Sequence, residues 1–168
     1  LQEIVDQIQR LIAKGSVDPE QVYVGGFTAG GVMAAHFAYC YPDVFKTALI
    51  HSGAPFKFLT RQKYSENDLG QKAIDCSRTV KHKRLKDILI VHGTKDKISF
   101  VSNGAKAVDQ ALYFMDKNDD GQKNYSLRKT LDAGGLARWE SNQGHSVNYI
   151  SITNMGHAWS GGDPRYRF

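Results

Sequence analysis

The stretch from residue 22 to residue 35 restricts the possible folds of this chain more than any other. It begins with the apolar run Val22-Tyr23-Val24, which is typical of a buried strand. It then passes through glycines at positions 25, 26, 30 and 31. It ends in an alanine-rich apolar segment that indicates a buried helix. A strand, a sharp turn and a helix in this order predict a unit of an α/β fold.

The turn in this stretch has the pattern of a nucleophile elbow. Gly26-Phe27-Thr28-Ala29-Gly30 matches G-x-S-x-G, with threonine where serine is usual. An elbow strains its central residue so that the side-chain oxygen projects from the sheet edge. The N–H of the next residue, Ala29, is then expected to point to where the oxyanion of the reaction would form. The flanking glycines are expected to be needed because strand and helix nearly touch. A β-branched Thr28 disfavours positive φ, so the turn is either an altered catalytic site or a glycine-rich turn without chemistry.

The rest of the chain alternates between helical and extended patterns. We predict helices at 1–14, about 30–39, about 69–78 and 101–115, strands at 47–51, 88–92 and 147–152, and a polar loop at 116–124. This alternation predicts an α/β fold with a mostly parallel sheet and flanking helices. Residues 1–168 contain no recognisable linker or repeat, so one domain is expected.

Three side chains that follow predicted strand ends have complementary chemistry. They are Thr28, Asp96 and His157. Because the carboxyl ends of parallel strands meet at one sheet edge, we expect these side chains to converge. A hydroxyl that attacks an acyl carbon, an imidazole that takes its proton and a carboxylate that orients the imidazole form a catalytic triad. Alone, the aspartate is typical of a turn and the histidine of a structural role, so the prediction depends on their chain order.

Five segments around these residues share the pattern of one enzyme family. They are residues 17–24 before the elbow, Tyr41-Pro42-Asp43-Val44-Phe45, His51-Ser52-Gly53, His92-Gly93-Thr94-Lys95-Asp96 and Gly156-His157-Ala158-Trp159-Ser160-Gly161-Gly162. Over nearly the whole chain they resemble the polyhydroxybutyrate depolymerase-type esterases, which include feruloyl and acetylxylan esterases. The resemblance implies an α/β-hydrolase fold, secretion, and ester cleavage without a metal or organic cofactor. It also implies that Thr28, Asp96 and His157 are nucleophile, acid and base.

The chain departs from that family in two ways. Thr28 replaces the usual serine. Family members also have strands ahead of the elbow strand, and a loop among them supplies the second oxyanion donor. In family members a final helix normally follows the loop that carries the histidine of the triad as well. The resemblance therefore implies a C-terminal part of an esterase domain whose N-terminal strands are missing, so that the exposed edge of the elbow strand favours self-association.

Charge and hydropathy give expectations about partners. The net charge is +5, and no apolar run is long enough to span a membrane. The basic cluster before the third predicted strand lacks interleaved aromatics, so a solvated surface is favoured over a nucleic-acid site. No signal peptide is recognisable, although the first residue, Leu1, is not an initiator methionine. The cluster consists of Arg78, Lys81, Lys83, Arg84 and Lys86.

Two further features could have chemical roles. Cys40 and Cys76 are expected to pair if the protein is secreted, and otherwise to be free thiols. Residues 116–121 begin like a calcium loop, but Leu127 stands where the bidentate glutamate is required. A solvated turn is therefore favoured there, and we predict no metal site.

Aromatic residues near the predicted site have open roles. Trp159 is expected to form either the wall of a substrate pocket or an exposed anchor. His51 and His92 are expected to make structural hydrogen bonds rather than bind a metal, because no cysteine or carboxylate shares a ligand spacing with them.

These observations predict a secreted carboxylic ester hydrolase that acts on a small-molecule or polymeric ester. The alternative is a catalytically impaired pseudoenzyme or binding module on the same fold. A thioesterase or peptidase is a third possibility on this scaffold. The side chain at position 28 distinguishes catalysis from binding.

Overall fold

A single sheet of six strands organises the residues that the computed structural model describes, which are 1–58, 64–77 and 83–163. In the sheet the strands follow the order β1-β2-β3-β6-β5-β4. Their bounds are β1 (Tyr23–Phe27), β2 (Thr47–His51), β3 (Asp87–Gly93), β4 (Arg128–Ala133), β5 (Leu136–Glu140) and β6 (Ser146–Ile152).

The direction of the strands divides the sheet into two parts. β1, β2, β3 and β6 are parallel to one another, whereas β5 is antiparallel to β6 and β4 is antiparallel to β5. The predicted α/β fold with a mostly parallel sheet is therefore confirmed. The hairpin of β4 and β5 was not predicted, because every residue of β4 is exposed and shows no alternation. Gly134 and Gly135 turn this hairpin with φ of 60° and 83°, and a Gly-Gly pair is a known signal of such a turn.

Four α-helices flank the sheet in the described part of the chain, and a short 3-10 helix (Pro19–Gln21) precedes β1. The α-helices are α1 (Gln2–Ala13), α2 (Ala29–Cys40), α3 (Glu66–Cys76) and α4 (Val101–Asp120). All four lie where helices were predicted, although residue 78 of the third prediction falls outside the described residues. None of these helices is both long and apolar enough to cross a membrane.

Helix α4 continues beyond its predicted end. The prediction of a polar loop from residue 116 was wrong for its first part, because the helix ends only at Asp120 and is capped by Gly121, which has a φ of 83°. The Asp116 carboxylate is buried and accepts a hydrogen bond from the Ser126 N–H at 2.5 Å, which supports the last turns. Residues 116–120 are therefore helical rather than the start of a calcium loop.

Small side chains let the helix after the elbow pack closely on the sheet. Ala34, Ala35 and Ala38 of α2 are buried, and α2 lies against β1 and β2. Helix α4 lies against β3 and β6, and α3 contacts both α2 and α4. The buried Gln110 amide of α4 donates to the carbonyl oxygens of Phe56 and Leu69 at 3.1 and 2.7 Å. These contacts hold the helices in place around the parallel strands.

The described residues of the basic cluster make contacts within the protein. Lys83 Nζ donates to the Asn118 carbonyl oxygen at 3.2 Å, and Lys86 Nζ lies 3.3 Å from His145 Nε2. Arg84 forms an ion pair with Glu20. Arg78 and Lys81 lie outside the described residues.

Candidate active site

The elbow residue has the strained backbone that the sequence pattern predicts. Thr28 lies between β1 and α2 with φ 51° and ψ −115°. Positive φ is unfavourable for a β-branched residue, so neighbouring contacts must hold this conformation. One such contact is the hydrogen bond from the Thr28 N–H to the His51 carbonyl oxygen, at 2.9 Å.

Two glycines allow the strand and the helix to approach each other at the elbow. A Cβ at position 26 would overlap the backbone of Gly30, and a Cβ at position 31 would lie 3.1 Å from the carbonyl oxygens of Gly26 and His51. A Cβ at position 30 would meet no atom within 4 Å. The close approach therefore requires glycine at positions 26 and 31, and not at position 30 of the pentapeptide as the pattern suggested.

Asp96 is a buried carboxylate with both oxygens in use. It follows β3 and is 4% exposed. Its Oδ1 accepts hydrogen bonds from the N–H groups of Ile98 and Ser99, each at 2.9 Å. Its Oδ2 accepts from His157 Nδ1 at 2.8 Å. Because Nδ1 of His157 carries this proton, Nε2 of neutral His157 is left as a proton acceptor.

A glycine at the end of β3 leaves room for the loop that follows β6 and carries His157, here called the histidine loop. A Cβ at position 93 would overlap the Met155 carbonyl oxygen. That oxygen instead accepts a hydrogen bond from the Lys95 N–H at 2.9 Å. The loop after β6 thus crosses the end of β3 and brings His157 to Asp96. The His157 ring also lies 4.9 Å from the ring of Phe27, measured between centroids, and Phe27 directly precedes Thr28.

The ends of the parallel strands share one edge of the sheet. Hydrogen bonds link them in order, from Thr28 N to His51 O, from Ser52 N to Val91 O and from Thr94 N to Ile152 O, at 2.8 to 3.0 Å. Thr28, Asp96 and His157 all follow these ends. Among the described residues, Asp96 and His157 are hydrogen-bonded to each other, and the Thr28 hydroxyl makes no hydrogen bond to His157.

His51 holds the far side of the histidine loop. Its Nε2 accepts a hydrogen bond from the Ser160 N–H at 3.0 Å and lies 2.9 Å from the Ser160 hydroxyl. Its ring stacks on Trp159 with centroids 4.7 Å apart and an interplanar angle of 19°. Burial is the main cause that lowers the pKa of His51, and the nearby His92 and His157 lower it further. A low pKa keeps Nε2 unprotonated, as the bond from Ser160 requires.

Trp159 presents one face to the protein and remains 43% exposed. Besides stacking on His51, it meets the ring of Phe27 at a centroid distance of 6.3 Å. It therefore lies beside Phe27, whose ring also packs near that of His157, while part of the Trp159 surface remains exposed.

A second imidazole approaches the Asp96 carboxylate from inside the protein. His92 is fully buried, and its Nε2 lies 2.6 Å from the Ser99 carbonyl oxygen and 3.4 Å from Asp96 Oδ2. The expectation of structural hydrogen bonds for His51 and His92 agrees with these contacts. The sequence pattern did not indicate the contact with Asp96, although the spacing of four residues across a strand-end turn was a usable signal.

Ala29 is exposed and is the first residue of α2. The N–H of a residue in that position has no acceptor within its own helix. It is therefore available to a ligand at the positive end of the helix dipole. No group of three or more potential metal ligands lies near Asp96 and His157 in the part of the chain that the structure describes.

Comparison with known proteins assigns the family. The profile of the prolyl oligopeptidase family matches residues 1–150, which is most of the chain. The chain belongs to the prolyl oligopeptidase family.

Curated relatives of this family member match shorter segments. Poly(3-hydroxyalkanoate) depolymerase C of Paucimonas lemoignei is 40% identical over 57 residues, which are 34% of this chain and 14% of that protein. Feruloyl esterase B of Thermothelomyces thermophilus is 40% identical over 53 residues, which are 32% of this chain and 18% of that protein.

Solved structures support the same fold for this member of the prolyl oligopeptidase family. An acetyl xylan esterase from Aspergillus awamori aligns with a TM-score of 0.67 and 18% identity over 93% of this chain and 61% of that one. A PHB depolymerase aligns with a TM-score of 0.57 and 19% identity over 88% of this chain and 44% of that one. The chain is therefore an α/β hydrolase related to these depolymerases and esterases, as the resemblance implied. It spans less than two thirds of the length of each.

Proposed function

We propose that this chain is a carboxylic ester hydrolase with Thr28 as nucleophile, His157 as base and Asp96 as acid. The observation that carries the proposal is the 2.8 Å hydrogen bond between the buried Asp96 and His157, beside an elbow whose central residue has a φ of 51°. The relatives named as a depolymerase and as esterases support the same reaction class. Asp96 keeps the proton of His157 on Nδ1, so that Nε2 is free to act as a base.

The proposed reaction uses a covalent acyl intermediate. His157 Nε2 takes the proton of the Thr28 hydroxyl as its oxygen attacks the acyl carbon. The oxyanion that forms accepts a hydrogen bond from the Ala29 N–H at the start of α2. The ester C–O bond then breaks, and His157 gives its proton to the leaving alcohol. Water, activated by the same imidazole, hydrolyses the acyl-threonine ester and restores Thr28.

The proposed substrate is a small-molecule or polymeric ester of a carboxylic acid. The names of the relatives refer to poly(3-hydroxyalkanoate) and feruloyl groups, which share an ester bond. Trp159 is proposed to contact the substrate, because its exposed part borders the rings of His51 and Phe27. No cofactor enters the proposed steps.

The test is hydrolysis of p-nitrophenyl acetate by the natural chain and by its Thr28→Ser and Thr28→Ala variants. Serine removes the methyl group that crowds both the elbow and the approach of the carbonyl, so Thr28→Ser should raise the rate. The alanine variant should be inactive. Equal or lower activity in the serine variant would identify threonine as an adapted nucleophile. Absence of hydrolysis in all three chains would reject the ester hydrolase.

A pseudoenzyme or binding module is the second candidate. The observation that favours it is the β-branched side chain at a φ of 51°, where a threonine is unfavourable. A natural chain that binds a non-hydrolysed ester analogue, with activity only after Thr28→Ser, would support this candidate.

Because the family carries a peptidase name, a peptide p-nitroanilide in the same assay distinguishes peptidase from esterase activity.

An extracellular location is proposed for the protein. Cys40 and Cys76, whose pairing the sequence left open, form a disulfide with a Cα–Cα distance of 4.7 Å. Disulfides persist in oxidising compartments and are rare in the cytosol. Secretion into the medium with the disulfide intact, measured by thiol labelling of the native protein, is the expected result.

Self-association through β1 is proposed as well. In the described part of the sheet β1 has β2 as its sole neighbour, and Tyr23 is 56% exposed. β1 contains no proline or charged residue, which are the features that usually prevent an edge strand from pairing with another chain. The sedimentation coefficient should therefore rise with concentration, and a Tyr23→Lys variant should sediment as a monomer. A natural chain that remains a monomer at all concentrations, with a cooperative thermal transition, would contradict this.

A further inference from the structure

A second cluster of reactive side chains lies where α2 and α3 end, separate from Thr28 and His157. His36 and Cys40 are four residues apart on α2, so their side chains share one face of the helix. Cys76 is the last residue of α3 and is disulfide-bonded to Cys40. One potential ligand atom from each of these three residues lies within 4.8 Å of the others. An imidazole nitrogen and two sulfurs form a donor set typical of zinc sites.

The helix ends at this cluster favour a bound cation. α2 ends at Cys40 and α3 at Cys76, so the negative ends of two helix dipoles meet there. The last turn of neither helix contains a basic residue that would neutralise its dipole. Two free thiolates would be unfavourable at these negative helix ends, and a bound cation neutralises them, so the dipoles favour metal-bound over metal-free thiolates.

A cavity connects the cluster with solvent. Cys76 is half-buried and lines a cavity of about 510 Å³ together with Lys57, Lys72 and Asp75. This opening gives a small reductant and a metal ion a path to the sulfur atoms. The thiolate is the form that binds a metal, so metal binding displaces the thiol protons.

We propose that reduction of the Cys40–Cys76 disulfide creates a site for Zn²⁺ with His36, Cys40 and Cys76 as ligands. A dithiol or phosphine reductant supplies two electrons, and two protons convert the disulfide into two thiols. Metal binding then releases one proton from each thiol, and His36 binds as neutral imidazole. The two thiolates balance the charge of the ion, and water fills the fourth position. The metal thereby replaces the disulfide as the link between α2 and α3.

The experiment uses Co²⁺ as a spectroscopic probe on the full chain. The chain is reduced with a phosphine under nitrogen and titrated with Co²⁺, with the oxidised chain in parallel. The reduced chain should develop a thiolate-to-cobalt charge-transfer band that saturates at one equivalent and disappears when Zn²⁺ is added. The oxidised chain should show no such band.

Variants separate ligation by the three residues from binding to free thiols. His36→Gln keeps both cysteines and should weaken Co²⁺ binding by at least about tenfold, since even outer-shell partners contribute about 10–100-fold. Lys72→Gln, the matched control from the same cavity, should bind with the affinity of the unmodified chain. Cys76→Ser should lose the two-thiolate band.

Two results would overturn the proposal. One is a reduced chain that shows no thiolate-to-cobalt band. The other is equal Co²⁺ affinity in the reduced natural chain and in His36→Gln, which is also the result expected if reduction unfolds the chain. Circular dichroism of the reduced chain identifies that cause. Ester hydrolysis is measured nowhere in this experiment, so it is independent of the proposed catalytic function.

Discussion

Asp96 and Thr28 are held in the candidate active site by different means. The Asp96 side chain accepts three hydrogen bonds, two from backbone N–H groups and one from His157. Thr28 is held through its backbone, by its N–H bond to His51 and by the close approach of the strand and the helix at Gly26. The position of the carboxylate therefore depends on its own chemistry, whereas the position of the elbow residue depends on its neighbours.

This difference explains how a threonine can occupy a position where serine is usual. The backbone conformation at residue 28 is imposed by the glycines and by β2, so the elbow forms with either hydroxyl residue. A change at Asp96 should affect chemistry with little effect on the fold, and a change at the glycines should affect the fold directly. Substitutions in both regions test this contrast.

The largest expected effect is that of Asp96→Asn on ester hydrolysis. The amide oxygen can still accept the bonds from Ile98 and Ser99, but the amide nitrogen cannot accept the proton of His157 Nδ1. The rate should fall roughly 10⁴-fold with a small change in stability. The measurement is made in the Thr28 or Thr28→Ser chain, whichever is more active, with the exposed Asp132→Asn as control. A large loss of stability in Asp96→Asn would show that the carboxylate is structural.

The next effect concerns the glycines of the elbow. Gly26→Ala places a methyl group where the Gly30 backbone lies, so we expect a loss of more than about 3 kcal/mol in the free energy of unfolding. Gly30→Ala meets no atom within 4 Å, so it should be neutral or stabilise α2 by up to about 1 kcal/mol. Urea unfolding of both variants checks this. Similar losses in the two would show that the elbow is not held by this contact.

The smallest effect is a pH dependence of stability from His51. Its pKa is lowered from 6.5 in the folded protein, so the unfolded chain binds more protons as the pH falls below 6.5. The contribution of His51 to the free energy of unfolding is therefore complete above pH 6.5. It is lost as the pH falls, by at most about 1.4 kcal/mol per pH unit. The free energy of unfolding of His51→Gln, measured against pH, should have a shallower acid slope. The buried His145, whose pKa is also lowered, should keep part of the slope in both proteins. An unchanged slope would contradict the prediction.

The sequence alone determined the features that depend on neighbouring residues. The elbow was recognisable because glycines, a hydroxyl residue and an alanine-rich helix lie within one short stretch. The strands β2, β3 and β6 were predicted within one residue of their ends, because β2 and β3 are largely apolar runs and β6 alternates between apolar and polar residues. The chain order of Thr28, Asp96 and His157 could be read in the same way.

Tertiary structure decided the features that join distant parts of the chain. His51 and Ser160 are 109 residues apart in the chain. The sequence does not indicate that His51 Nε2 accepts a hydrogen bond from the Ser160 N–H. The fully exposed strand β4 exists because β5 pairs with it and with β6, and its own side chains carry no periodic signal. The bond between Cys40 and Cys76 likewise depends on where α2 and α3 end in space. Such contacts arise from the packing of whole elements, which a local pattern of residues does not encode.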